Sequence, residues 1–146
     1  MKTRVLIVDD EQEFVEALSE RLSLRDYDVT TSSSGRDAAE NVAQYNYDVV
    51  VLDVLMPDMD GVETLKRIKG AKPLTEVIML TGHATVETAI EGMKLGAYDY
   101  LMKPCKDDEL FDKIDKASAK KAEHEERIRE AKVKEIVSSP RSVLSS

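Results

Sequence analysis

Short strand-like runs alternate along this chain with longer stretches whose apolar residues return every three to four positions. Val49-Val50-Val51-Leu52 is the clearest run, with four apolar residues in a row and three of them β-branched. Such a run suits a strand buried on both faces, as in a parallel sheet covered by helices. Arg4–Val8, Tyr27–Thr31, Glu76–Leu80 and Asp99–Met102 read as four further strands. Between them, Gln12–Leu24 places Phe14, Val15, Leu18 and Leu22 at helical spacing, with acids early and Arg21 and Arg25 late, as the helix dipole favours. Helices are likewise expected over Arg36–Tyr45, Val62–Lys69 and Thr85–Leu95, with a last one starting near Asp107 or Asp108. Ser33 or Ser34 is placed to cap the second helix, and Asp107 or Asp108 the last. Gly70 and Pro73 should end the third helix, and Gly96 the fourth. Gly92 lies inside the fourth, where it should cost about 1 kcal/mol relative to Ala.

Strand and helix therefore alternate five times. That order predicts an α/β fold, a doubly wound five-stranded parallel sheet of flavodoxin-like (βα)5 form with right-handed crossovers and an extended C-terminal helix. The 146 residues make one domain over 1–119, followed by a helical extension or linker over 120–137 and a disordered tail over 138–146.

Composition narrows the function classes. No apolar run is long enough to span a bilayer, and the apolar start is too short for a secretory signal, so a cytoplasmic location is expected with no membrane partner. A lone cysteine, Cys105, excludes an internal disulfide and a cysteine-based metal site. The net charge of −8 argues against direct nucleic-acid binding by this chain. It is uneven: from Lys120 onward there are 7 basic and 5 acidic residues, which leaves about −10 on residues 1–119.

In an open parallel sheet, ligands bind beyond the carboxyl ends of the strands. Asp9 and Asp10 follow the first strand, Asp53 the third, Thr81 closes the fourth and Lys103 follows the fifth. Taken alone, Asp53 suits a turn opener equally well. Together, three carboxylates at one edge need compensation, because like charges raise each other's pKa. Oxygen ligands with room for waters suit Mg²⁺. A cation, a lysine and a hydroxyl around one carboxylate make a site for a phosphoryl group, with Asp53 as the nucleophile that accepts it.

These residues resemble the receiver (CheY-like) domains of the response regulators of bacterial two-component systems. The matching motifs are Asp9-Asp10, Asp53-Val54-Leu55-Met56-Pro57 with Gly61, Leu80-Thr81-Gly82, and Lys103-Pro104 preceded by Tyr100, over roughly residues 3–119. The Thr81–Thr85 and Gly96–Leu101 stretches resemble the receivers of NtrC-like activators. The resemblance implies that Asp53 is phosphorylated by a histidine kinase, a phosphotransfer protein or small phosphodonors. It implies Mg²⁺ held by Asp10, Asp53 and the Leu55 backbone carbonyl, with Asp9 reaching it directly or through water. Lys103 would pair with Asp53 and then with the phosphoryl group, and the Gly82 backbone would hydrogen-bond it. Thr81 and Tyr100 would switch, and the Lys103–Pro104 bond would be cis. The helix 4, strand 5 and helix 5 face would control a downstream protein or output domain. The chain is then no enzyme on external substrates, catalysing only its own phosphorylation and dephosphorylation.

Other functions fit less well. An aspartyl phosphatase of the haloacid dehalogenase-like kind carries a second Asp two residues after its nucleophile, and here Leu55 stands there. Dinucleotide binding needs a glycine-rich turn where this chain has Asp9-Asp10-Glu11. An unphosphorylated scaffold would not require the full acidic set, Thr81 and Lys103. His83 is expected exposed at the mouth of the site, without the second histidine a metal site would want; His124 is expected solvated. Met56 and Met59 read as apolar cover, and Glu11 as a helix-start charge. On the last helix Leu110, Ile114, Ala117, Ile128 and Ala131 suggest a seam for a homodimer, which Lys121 and His124 interrupt.

Overall fold

The computed structural model describes residues 2–82 and 85–138. The expected exposure of His83 and the disorder of the final segment lie outside these residues, apart from Ser138, which closes the last helix. The elements run β1 (Arg4–Val8), α1 (Gln12–Leu24), β2 (Asp28–Ser32), α2 (Gly35–Gln44), β3 (Val49–Leu52), α3 (Gly61–Ala71), β4 (Glu76–Thr81), α4 (Val86–Lys94), β5 (Asp99–Met102) and α5 (Asp107–Ser138). The five strands form one parallel sheet in the order β2-β1-β3-β4-β5.

The apolar strand runs are explained by two cores. Strand side chains alternate between faces. Val5, Ile7, Val49, Val51, Ile78 and Leu80 pack with Leu18, Leu22 and Ile114, under α1 and α5. Leu6, Val8, Val50, Leu52, Val77 and Met79 pack on the other face with Val42, Leu65 and Ile68. A residue such as Leu52 or Ile78, with no exposed surface, would cost about 2–5 kcal/mol to truncate to Ala.

Most differences from expectation concern element ends. β2 and α4 begin one residue late and α2 one residue early. Thr85 caps α4 through a reciprocal capping box with Thr88, and Ser34 caps α2 by accepting from the Asp37 N–H. Gly70 does not end α3, which runs on to Ala71. It lies in the last turn with open space around it, where a glycine is tolerated, and the Lys72 N–H closes the helix on the Ile68 carbonyl. Asp107 and Asp108 form part of the first turn of α5. Gly96, at φ +100°, is the left-handed residue that ends α4.

Gly92 has a packing reason. A Cβ there would lie 2.7 Å from Met79 Sδ and 3.9 Å from Tyr100 Cδ2, so α4 approaches β4 and β5 where only hydrogen fits. α5 is buried through Leu110, Phe111, Ile114 and Ala117. Lys120 then reaches Glu76 at 3.6 Å and Lys121 reaches Asp48 at 3.4 Å. Lys121 therefore binds the α5 shaft to its own domain, and His124, three residues on, is half-buried rather than solvated. From Glu125 to Ser138 the helix is exposed throughout.

Candidate functional site

Backbone hydrogen bonds bring the chemistry-bearing residues to one edge. The Asp53 N–H donates to the Val8 carbonyl at 2.9 Å, which sets the end of β3 beside the Asp9-Asp10 pair. The Lys103 N–H donates to the Thr81 carbonyl at 2.9 Å, which brings the β5 terminus alongside β4. Each strand is hydrogen-bonded to the next, so the edge follows from sheet register.

One carboxylate oxygen from each of Asp9, Asp10 and Asp53 lies within 4.8 Å of the others. Asp9 and Asp53 are buried and Asp10 is exposed. Opposed ligands of an octahedral Mg²⁺ stand about 4 Å apart, and the donors are all oxygen, so the cluster fits a hard divalent cation. The Leu55 N–H lies 3.4 Å from Asp53 Oδ1, which keeps the loop after β3 close to the same carboxylate.

Lys103 is where the site departs from expectation. Its Nζ lies 2.5 Å from Asp9 Oδ2, 3.2 Å from Glu11 Oε1 and 3.9 Å from Asp53 Oδ2. Its tightest partner is thus Asp9, with the expected partner Asp53 at the outer limit of ion-pair distance, although both carboxylates are equally buried. Nζ is also 4.0 Å from the centroid of the Phe14 ring. Burial pushes the Asp9 carboxyl above the usual carboxylate value, and the Asp53 charge adds to the rise. The Lys103 and Glu11 N–H hydrogen bonds pull it back only in part. Burial also opposes the Lys103 charge, but the hydrogen bond and charge of Asp9 outweigh it and hold the ammonium above the ordinary lysine value.

Thr81 is fully buried at the end of β4, and Gly82 follows it exposed. Tyr100 is half-buried, with its hydroxyl 2.9 Å from Thr88 Oγ1. The Lys103–Pro104 peptide is cis. Cys105 is half-buried, and burial pushes its thiol up, away from the reactive thiolate. Met56 is buried in the second core and Met59 half-buried, as apolar cover should be.

Two contributions were not read from the sequence, and a third residue, Gly61, was read only as part of a motif. Glu11 holds Lys103 besides standing at the N-cap of α1, and Phe14, placed on the apolar face, sits under the ammonium; an acid and an aromatic at the start of a helix that opens beside two aspartates were the available signal. Asp58 straps the acceptor loop to α2. Its carboxylate accepts from the Gly35 and Arg36 N–H groups at 3.1 and 3.0 Å, and the Arg36 N–H leads in holding its carboxyl below the usual value. Gly61 closes the loop. A Cβ there would lie 2.5 Å from Val54 Cα and 2.6 Å from the Asp53 carbonyl oxygen, and its N–H donates to the Val54 carbonyl at 2.6 Å.

Comparison with known proteins adds the following. Residues 5–115 match the family described as the response regulator receiver domain. The chain is 42% identical over 115 residues to the transcriptional regulatory protein ZraR of Escherichia coli, covering 79% of this chain and 26% of that protein. It is 41% identical over 107 residues to the regulatory protein AtoC of Escherichia coli, covering 73% of this chain and 23% of that protein. The chain thus spans about a quarter of the length of these relatives. Among solved structures, the beryllofluoride-activated NtrC4 receiver domain dimer aligns with a TM-score of 0.76 at 38% identity, covering 81% of this chain and 98% of that one. A CheY-like receiver domain protein from Methanospirillum hungatei aligns with a TM-score of 0.82 at 26% identity, covering 85% and 99%.

Proposed function

This chain belongs to the response regulator receiver family of two-component systems, and on that premise we propose that it is a phosphorylation-dependent switch with Asp53 as the acceptor. An Asp53 carboxylate oxygen attacks the phosphorus of a phosphohistidine on a histidine kinase or phosphotransfer protein. The O–P bond forms as the P–N bond breaks, and the imidazole leaves with the electron pair. Asp9, Asp10, Asp53 and the Leu55 carbonyl would hold Mg²⁺, which when bound offsets negative charge on the phosphoryl oxygens. Lys103 supplies a second positive charge, and the Thr81 hydroxyl and Gly82 N–H supply hydrogen bonds.

Thr81 and Tyr100 then carry the change to the α4–β5–α5 face. Val86, Ile90 and Met93 form an exposed apolar stripe along α4, with Met102 exposed on β5, and this supports a docking role toward a downstream protein or output domain. The chain turns over no external substrate and works in the cytoplasm. A homodimer through the α5 extension belongs to the same proposal. The full chain and a version ending near Lys120 should then differ about twofold beyond their own sizes in solution mass, and matching monomer masses would remove the dimer.

The observation that carries the reading is the convergence of Asp9, Asp10 and Asp53 within 4.8 Å, with Lys103 against them. Incubation with acetyl phosphate and Mg²⁺ should add a single phosphate by intact mass, and Asp53→Asn should add none. Label that persists in Asp53→Asn would remove the assignment.

A further inference from the structure

We propose that Glu11 and Phe14 form a resting dock for the Lys103 ammonium, which a phosphoryl group on Asp53 must outcompete. The inference rests on Asp53 being the acceptor and concerns how readily Lys103 reaches it. Among the described residues, four groups surround Nζ. Asp9 belongs to the cation cluster, and Asp53 is the destination. The other two, the Glu11 carboxylate at 3.2 Å and the Phe14 ring at 4.0 Å, come from the N-cap and the first turn of α1 and are not part of that cluster.

The chemistry of each contact fits a holding site. An ammonium has three N–H donors. Asp9 and Glu11 take two of them, and the Phe14 ring face offers its negative quadrupole within the distance at which cations are attracted. Glu11 stands at the N-cap of α1 and Phe14 lies in its first turn, so the start of one helix brings both groups to the same Nζ. Lys103 carries little exposed surface, and the three contacts hold its head on the Asp9 side of the site, 3.9 Å from Asp53. Moving it fully onto a phosphoryl oxygen gives up the Glu11 and ring contacts. Each contact should therefore weaken the binding of a phosphoryl mimic about two- to fivefold, the range for an exposed ion pair or cation–π contact.

The test is the affinity for beryllofluoride in saturating Mg²⁺, measured by calorimetry on the full chain. Phe14→Leu keeps apolar volume and changes no charge; it should bind about two- to fivefold more tightly, while Phe14→Tyr, which keeps the ring, should match the wild type. Glu11→Gln should also bind more tightly, and by more than Glu13→Gln, which makes the same charge change at the same helix end without an ion pair to Lys103. Unchanged or weaker binding in Phe14→Leu would overturn the ring's part. Equal effects of Glu11→Gln and Glu13→Gln would reduce Glu11 to general repulsion and overturn its part. A wild type that binds no beryllofluoride would instead remove the acceptor reading, and the dock with it.

Discussion

The Tyr100 hydroxyl lies 2.9 Å from Thr88 Oγ1, and so β5 is tied to the first turn of α4 by the residue that completes that helix's capping box. One hydroxyl thus serves both the helix end and the tyrosine. The pair should be energetically coupled by about 0.5–1.5 kcal/mol, the net worth of a typical hydrogen bond. Urea unfolding of Thr88→Val, Tyr100→Phe and the double variant measures it. Strict additivity would mean that the contact contributes nothing.

Removing Lys103 should separate cation binding from stability. Asp9 is buried, and Lys103 is its 2.5 Å partner, so Lys103→Ala leaves Asp9 and Asp53 facing each other with less compensation. The pair opens to solvent on the Lys103 side, which places the cost between surface and buried pairs, at about 1–3 kcal/mol. With one competing cation gone, Mg²⁺ should bind more tightly and restore more stability than in the wild type. Thermal unfolding with and without Mg²⁺ gives both quantities, and weaker Mg²⁺ binding would contradict the argument.

Gly61 should tolerate no side chain. The atoms its Cβ would meet are backbone atoms of Asp53 and Val54, which cannot swing aside as a flexible side chain does. Gly61→Ala should lose about 1–3 kcal/mol in denaturant unfolding, as overpacked sites do, and should slow phosphate uptake from acetyl phosphate by displacing Asp53. Gly70→Ala, with open space around it, is the control and should be neutral or stabilising.

Tyr27 gives stability a high-pH edge. It is buried and donates its hydroxyl to Asp115 of α5. Burial, with the Asp115 hydrogen bond and charge, pushes its phenol up from 10.0 to about 12. Because the folded value is the higher, the unfolded chain loses its proton first. The stabilisation is complete below pH 10 and is lost as pH rises through the window from 10 to about 12, by about 2–3 kcal/mol in all. Tyr27→Phe should remove that slope. Ultraviolet titration should show one of the five tyrosines ionising late, and a variant that lacks Tyr27 yet keeps the slope would refute the assignment.

Much of this was legible in the chain because two signals are strong. Four-residue apolar runs such as Val49–Leu52 admit little besides a two-face buried strand, and β1, β3 and β5 fall within their expected bounds. The convergence of Asp9, Asp10 and Asp53 then follows from sheet order, since β1 and β3 are neighbours. Side-chain choices among similar partners were not legible. Lys103 had three carboxylates within reach, and which one it meets depends on differences of an ångström. Asp58 looked like one more turn residue, because the α2 N–H groups it accepts from lie more than twenty residues away in sequence. Lys121 looked like a break in a seam, and its pairing with Asp48 required knowing that α5 passes the amino ends of β3 and β4.

The solvated part of α5 has the geometry of a lever. Beyond His124 it projects by roughly 21 Å at 1.5 Å per residue, stiffened by ion pairs such as Arg129–Glu126. A rod converts angle into travel: a tilt of about 10° at its root moves its tip by about 4 Å. The fulcrum is the stretch where Ile114 and Ala117 meet the sheet and Lys121 meets Asp48. A tilt of that size at the fulcrum would displace Ser138 by about 4 Å, enough to make or break a contact there.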